Sequence, residues 1–214
     1  MTDLADLTAA VVDGDRTTAA SLVQRALDSG VDPATILDAM ASAMDEVGGL
    51  FQCGEMFVPE MLNSARAMKA GTELLEPVLL AAGVKPEHLA VVGTVAGDVH
   101  DIGKNLVGMM WKSGGLDVID LGVNVPPQRF VEAAVEHDAA IIGVSALLTT
   151  TMPNMRGVIE AVQAAKLAVK VVVGGAPVTA EFAEQIGADG YAPDAAAAVD
   201  LARGLLAGRA ARGT

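Results

Sequence analysis

The candidate chemistry of this chain centres on Asp98, His100 and Gly103, which form an Asp-x-His-x-x-Gly pattern between an apolar run and an amphipathic one. Such a strand-to-helix turn is where a parallel α/β sheet usually keeps its ligand. A metal-bound imidazole needs an acceptor at its second ring nitrogen, and a carboxylate two residues upstream can supply it. Gly103 lets a bulky ligand lie against the backbone. The pattern predicts a histidine metal ligand; a solvated His–Asp surface pair is the alternative that so short a motif leaves open.

Two later motifs also sit where an apolar run ends. Ser145-Ala146-Leu147 follows the run 139–144, and Gly174-Gly175 follows 169–173. Because the carboxyl ends of parallel strands share one edge of a sheet, we expect these motifs to meet the Asp98–His100 loop in one crevice.

The elements that must position these residues form an α/β domain over residues 89–214. Apolar runs of strand length alternate with helical segments; the runs lie at 89–95, 116–121, 139–146, 169–174 and 189–192, and the helices at 103–114, 127–137, 153–167, 179–187 and 194–208. Five such units with right-handed crossovers predict a flavodoxin-like, Rossmann-like doubly wound parallel sheet of five strands in the order 2-1-3-4-5. The switch point between strands one and three then falls at the motif residues.

Residues 1–84 predict a separate four-helix bundle. Apolar stripes at three- and four-residue steps mark four helices, with a cap at Asp32-Pro33 and a last helix that runs from near Pro59 to Gly83. The turn between helices three and four is unusually apolar, so we expect it to press against another surface. The segment 81–88 contains Gly and Pro and is the predicted domain boundary and hinge.

Composition excludes several classes of function. The net charge is −13 with only 14 Lys and Arg, which argues against a nucleic-acid or anionic-membrane surface. Cys53 is the only cysteine, so no internal disulfide or thiolate metal cage can form. No secretion signal and no apolar run of membrane-spanning length is visible. We therefore expect a cytoplasmic protein.

The three motifs, separated by 41 and 26 residues, resemble the signature of the corrinoid-binding domain shared by cobalamin-dependent methyltransferases, including methionine synthase, and mutases. A second resemblance lies in the apolar turn, which is similar to the Val-Gly-x-x-Phe-x-x-Gly-Glu-x-Phe-x-Pro-x-x-Leu segment of the helical cap in methyl-transferring corrinoid proteins. Its matches are Val47-Gly48, Phe51, Gly54-Glu55, Phe57, Pro59 and Leu62.

This resemblance implies cobalamin as the cofactor, with its tail base displaced from cobalt and His100 as the lower axial ligand through Nε2. Asp98 would accept from Nδ1–H, and Ser145 would extend that chain. Small residues would line the tunnel for the tail, and four cap side chains would shield the upper face of the corrin. The implied cofactor-binding residues are Asp98, His100, Asp101, Ile102, Gly103, Ser145, Leu147, Thr149, Gly174 and Gly175 in the α/β domain, with Phe51, Met56, Phe57 and Leu62 in the cap. Thr149, Thr150 and Thr151 could reach the tail or be ordinary strand-end hydroxyls, and solvated helix-start charges are favoured for Asp101 and Lys104 over contacts to corrin amides.

The resemblance further implies a stand-alone methyl carrier without catalytic residues of its own. Such proteins serve systems that act on methylamines, methanol, methoxylated aromatics or betaines. The implied partners are a substrate-specific methyltransferase, an acceptor methyltransferase and a reductive activator. One alternative is an adenosylcobalamin-binding sensor, whose group carries a Trp and a Glu-His pair in the cap, where this chain has Phe51 and Glu60-Met61. Another is the binding subunit of a mutase, against which the helical cap argues.

Overall fold

The structure is a computed structural model that describes residues 4–81, 86 and 88–210. The chain divides into two compact units near Pro86, one containing the N-terminal helices and the other the strands. No helix within the described residues is both long enough and apolar enough to cross a membrane.

The N-terminal unit has four helices within residues 4–81, as the apolar stripes predict. They are α1 (Leu4–Val12), α2 (Arg16–Asp28), α3 (Pro33–Gln52) and α4 (Val58–Ala81). The Asp32 carboxylate accepts a hydrogen bond from the amide of Ala34, and Pro33 occupies the first helical position, so the predicted cap of α3 is confirmed. Helix α1 packs on α3, and α4 packs on both α2 and α3. The predicted end of the last helix at Gly83 lies outside the described residues.

The second unit is a parallel sheet flanked by helices, and residues 88–210 contain the five predicted strands. These are β1 (Leu89–Thr94), β2 (Asp117–Asp120), β3 (Ile141–Ser145), β4 (Lys170–Gly174) and β5 (Gly190–Tyr191). The helices are α5 (Ile102–Ser113), α6 (Pro127–Glu136), α7 (Pro153–Ala164), α8 (Ala180–Ile186) and α9 (Ala195–Ala210). The strand order is β2-β1-β3-β4-β5, which confirms the predicted doubly wound topology.

Each face of the sheet is covered by helices. Helices α6, α7 and α8 bury residues such as Phe130, Met155 and Ile159 against β1, β3 and β4. On the other face, the indole of Trp111 in α5 packs on Gly143, where an added Cβ would lie 2.9 Å from the ring. The indole N–H of Trp111 donates to the carbonyl oxygen of Ala198 in α9 at 2.9 Å. Burial on both faces leaves the strand ends and their loops as the place for a site.

Candidate functional site

The three sequence motifs lie side by side at the carboxyl edge of the sheet. Thr94, the last residue of β1, pairs with Ser145, the last residue of β3, and Ser145 pairs with Gly174, the last residue of β4. Register therefore brings together segments that are far apart in sequence, as the topology predicts. The loop from β1 to α5 leaves this edge and carries Asp98 and His100.

The carboxylate of Asp98 is fully buried and binds both neighbouring loops. Its Oδ1 accepts from the backbone N–H of His100 at 3.1 Å and from Nδ1 of the same residue at 2.8 Å. Its Oδ2 accepts from the Thr151 hydroxyl at 2.7 Å and from the amides of Leu147 and Leu148 at 2.8 and 3.3 Å. One side chain thus connects the His100 loop to the loop between β3 and α7.

These hydrogen bonds determine the charge of Asp98. Burial by itself raises the pKa of this carboxyl, but donation from the Leu147 amide, the Thr151 hydroxyl and His100 outweighs it and holds the pKa well below its usual value. Asp98 is therefore ionised at neutral pH and can only accept hydrogen bonds. The proton between the two side chains consequently resides on Nδ1 of His100, and in the neutral form of the ring the lone pair lies on Nε2.

His100 presents that second nitrogen to the outside. Its side chain is 46% exposed, and within the described part of the chain no hydrogen bond to Nε2 is found. The hydroxyl of Thr94 donates to the His100 carbonyl oxygen at 2.9 Å and fixes the backbone. No group of three or more His, Cys, Asp or Glu side chains that could hold a metal occurs among the described residues. The nitrogen that His100 presents fits a metal whose other ligands belong to a cofactor, as those of cobalt in a corrin ring do.

The surroundings of His100 fit a large, flat and partly apolar group. Val99 and Ile102 are 70% and 76% exposed, and Leu147 and Leu148 are each 41% exposed. Exposed aliphatic side chains near a polar side chain such as His100 are typical of a surface that a bound molecule covers. An added Cβ at Gly103 would meet no heavy atom within 4 Å, so the backbone there is open to a ligand.

The two glycines at the end of β4 leave little space. At Gly175, which has a φ of 131°, an added Cβ would lie 1.9 Å from the carbonyl oxygen of Ala146, and at Gly174 it would lie 3.1 Å from that of Ala192. Glycine is therefore required at Gly175, and a side chain at Gly174 would be tightly packed. Their predicted contact with a cofactor tail is compatible with this crevice and stays a prediction.

Some predicted residues have other contacts than expected. Among the described residues, Ser145 donates no hydrogen bond to Asp98. The hydroxyl that completes the Asp98 cluster belongs to Thr151. The sequence suggested Thr151 only as a contact to the tail or as an ordinary strand-end hydroxyl. Thr149 is exposed, and the exposed Asp101 accepts from the side-chain amide of Asn105 at 3.1 Å.

Lys104 corrects another expectation. The favoured interpretation placed it among solvated charges, but its side chain is only 3% exposed and forms an ion pair with Asp120. Its ammonium also donates to the side-chain oxygen of Asn105 at 2.6 Å. A buried lysine is stable only with such partners, so Lys104 secures the first turn of α5 to the end of β2.

The predicted cap residues lie on and beside the turn between α3 and α4. Gly54 has a φ of 78°, and the Phe57 amide donates to the Glu60 carboxylate at 2.8 Å, which caps α4. Met56 is buried, Phe51 and Leu62 are half-buried, and Phe57 is 66% exposed. Within its own unit, Phe57 thus presents an aromatic ring on the surface.

Comparisons with known proteins agree with these observations. A family profile described as a B12 binding domain matches residues 88–200, and a second with the same description matches residues 4–76. A corrinoid protein of Desulfitobacterium hafniense is 42% identical over 96% of this chain and 98% of its own length. Dimethylamine corrinoid protein 1 of Methanosarcina acetivorans is 44% identical over 95% of this chain and 97% of its own. Among solved structures, the methanol:cobalamin methyltransferase complex of Methanosarcina barkeri superposes with a TM-score of 0.85 and 30% identity, over 96% of this chain and 80% of that chain.

Proposed function

Because this chain belongs to the family of corrinoid proteins with a B12 binding domain, and its cofactor is therefore a corrinoid, we propose that it carries methyl groups between the partners of a multi-component methyltransferase system. The observation that carries the proposal is the Asp98–His100 pair, in which Nδ1 is bound to Asp98 and Nε2 has no hydrogen-bond partner among the described residues. This pair lies at the carboxyl edge of the sheet, and exposed aliphatic side chains flank it.

The bound corrinoid would supply the chemistry, since its cobalt would take up a methyl group as Co(I) and would return it from methyl-Co(III). His100 would hold this cofactor from below through Nε2, with the tail base displaced from the metal. Asp98 orients the ring and keeps the proton on Nδ1. When His100 is released from the metal, a proton that moves on or off the Asp98–His100 pair would stabilise the free state.

The remaining predicted residues would surround the cofactor. We propose that Gly103, Leu147, Gly174 and Gly175 line the path of the tail, that Thr149 offers a hydroxyl to it, and that Ser145 lies beside the cofactor in the same crevice. Asp101 and Ile102 would meet the corrin at the start of α5. An α/β domain of residues 89–214 would thereby contain the lower side of the site.

The cap would protect the reactive side. We propose that a domain of residues 1–84 shields the methyl group with Phe51, Met56, Phe57 and Leu62, and that it swings aside when a partner docks. The exposed ring of Phe57 supports this assignment. The proposed hinge at 81–88 includes residues 82–85 and 87, which lie outside the described residues.

The partners follow from the carrier function. A substrate-specific methyltransferase would load the methyl group, an acceptor methyltransferase would remove it, and a reductive activator would return oxidised cobalt to Co(I). The names of the relatives support a methylated amine or methanol as the donor. The same relatives favour the carrier over an adenosylcobalamin sensor. We further propose that the protein acts in the cytoplasm.

Electron paramagnetic resonance of the Co(II) state tests the central assignment. The protein is grown with ¹⁵N-histidine and loaded with unlabelled cobalamin, so a histidine ligand splits each cobalt line into a doublet and a ¹⁴N tail base splits it into a triplet. We expect a doublet that disappears in His100→Ala, whose exposed side chain makes the substitution compatible with folding. A triplet in the wild type would contradict the proposed ligation. The methyl donor is tested separately, by asking whether candidate partner methyltransferases load the protein from methylamines or from methanol.

A further inference from the structure

The peptide group between Ala96 and Gly97 is held from both sides by asparagine side chains. The Gly97 N–H donates to Oδ1 of Asn124 at 2.7 Å. The carbonyl oxygen of Ala96 accepts from Nδ2 of Asn154 at 2.7 Å. Asn124 lies between β2 and α6, and Asn154 lies in the first turn of α7. Two separate connections of the fold therefore fix one peptide plane just before Asp98.

This peptide is the central unit of a β-turn. The Asp98 amide donates to the Val95 carbonyl oxygen at 3.1 Å, and Gly97, the third residue of the turn, has a φ of 81°. Positive φ at the third residue, without positive φ at Ala96, defines a type II turn. A type I turn has its central peptide rotated and a negative φ at the third residue. The two asparagines hold the central peptide in the type II orientation.

Asn124 also holds the backbone beyond the turn. Its own N–H donates to the carbonyl oxygen of Asp98 at 2.9 Å, and it has a φ of 55°, a conformation that asparagine tolerates better than most residues. Asn124 therefore binds the backbone both before and after the Asp98 side chain, at the Gly97 N–H and at the Asp98 carbonyl oxygen. The carboxylate itself is fixed separately, by the loop after β3.

We propose that Asn124 and Asn154 are positioning residues for the axial histidine. By fixing the turn of residues 95–98, they hold Asp98 where its Oδ1 meets Nδ1 of His100 and so aim Nε2 at the cofactor. This inference rests on the proposed ligation of cobalt by His100 and extends it to two side chains that do not touch His100 in the structure.

The side-chain amides of Asn124 and Asn154 play different roles, so the same Asn→Asp substitution has contrasting expected effects at the two positions. Asn124 contributes an oxygen to its contact with Gly97, so Asn124→Asp keeps the acceptor. Asn154 contributes an N–H, so Asn154→Asp removes the donor and places a carboxylate against the Ala96 carbonyl oxygen. Asn124→Gly accommodates the positive φ and removes the acceptor.

The primary measurement is the ratio of histidine-bound to histidine-free Co(II) in the ¹⁵N-histidine spectrum. We expect Asn154→Asp and Asn124→Gly to lower this ratio by roughly 3- to 10-fold, the effect of one lost hydrogen bond, and Asn124→Asp to retain it. A second measurement needs no cofactor: hydrogen exchange of the Gly97 amide should accelerate in Asn124→Gly and not in Asn124→Asp.

The outcomes separate this inference from the proposed function. A wild-type doublet whose proportion is unchanged in Asn124→Gly and Asn154→Asp would overturn the positioning role alone. Equal losses in Asn124→Asp and Asn124→Gly would also overturn it, because the retained acceptor would then have no effect. A wild-type triplet would overturn the ligation by His100 and this inference with it.

Discussion

Removing the hydroxyl of Thr151 should weaken the cluster around Asp98 without creating a cavity. Thr151→Val preserves the side-chain volume and removes the donor that lies 2.7 Å from Asp98 Oδ2. The same hydroxyl lies 2.9 Å from the Leu148 carbonyl oxygen. It has a single proton, and the closer, charged acceptor is the better one, so the substitution acts mainly on Asp98.

The magnitude follows from the partners that Asp98 retains. A hydrogen bond to a charged group contributes about 1.5–3 kcal/mol to stability. Oδ2 keeps the Leu147 and Leu148 amides after the substitution, so we place the loss near the lower end, at about 2 kcal/mol. With one donor fewer, the pKa of Asp98 should rise towards its ordinary value.

Urea denaturation of the cofactor-free protein measures this loss. Trp111 is the only tryptophan and is buried in the α/β unit, so its fluorescence follows the unfolding of that unit. Thr151→Ser keeps the hydroxyl and should recover most of the stability. Thr150→Val makes the same chemical change at an exposed neighbour and should alter the free energy of unfolding by less than about 0.5 kcal/mol.

The comparison between the two valine variants shows whether the Thr151 hydroxyl stabilises the buried Asp98 carboxylate. If Thr151→Val destabilises the protein no more than Thr150→Val does, the hydroxyl does not stabilise the buried carboxylate. The same result would refute the view that Thr151 completes the Asp98 cluster.

Three further predictions concern the charge of Asp98 and two glycines of the site. The pKa of Asp98 is lowered in the folded state, so below about pH 4 the unfolded chain binds more protons than the folded chain and stability increases with pH. The advantage of the wild type over Asp98→Asn should therefore be complete above about pH 5 and shrink as the pH falls further; a difference that stays constant through acid titration of Trp111 fluorescence would contradict this. Gly175→Ala should cost roughly 2–4 kcal/mol in urea unfolding, because its Cβ would meet the Ala146 carbonyl oxygen. Gly103→Ala, in open space within α5, should stabilise the cofactor-free protein by about 0.5–1 kcal/mol yet weaken cobalamin binding in a spectroscopic titration, and unchanged affinity would show that the cofactor does not lie against Gly103.

Local patterns predicted the contacts that depend on neighbours in sequence. Asp98 and His100 are two residues apart on one loop, so their hydrogen bond required only a short turn. The alternation of apolar runs and helical stripes predicted the strand order, because right-handed crossovers leave few topologies.

The contacts that the sequence missed join distant loops. Thr151 is separated from Asp98 by 53 positions, and nothing in Ser145 or Thr149–Thr151 shows which hydroxyl faces inward once the chain turns after β3. The buried position of Lys104 likewise depends on Asp120 at the end of another strand. A useful signal was present, since a buried carboxylate needs several donors, but only the folded loops decide which groups supply them.

The contacts of Asp98 have a consequence for the entropy of cofactor binding. Ordering the backbone of one residue costs about 1–2 kcal/mol, and the loops after β1 and β3 are already joined through this carboxylate in the protein alone. A cofactor that enters this crevice need not pay that conformational cost, so more of its contact energy is available as affinity. The buried carboxylate has no surface exposed to the ligand, yet it preorganises the site for binding.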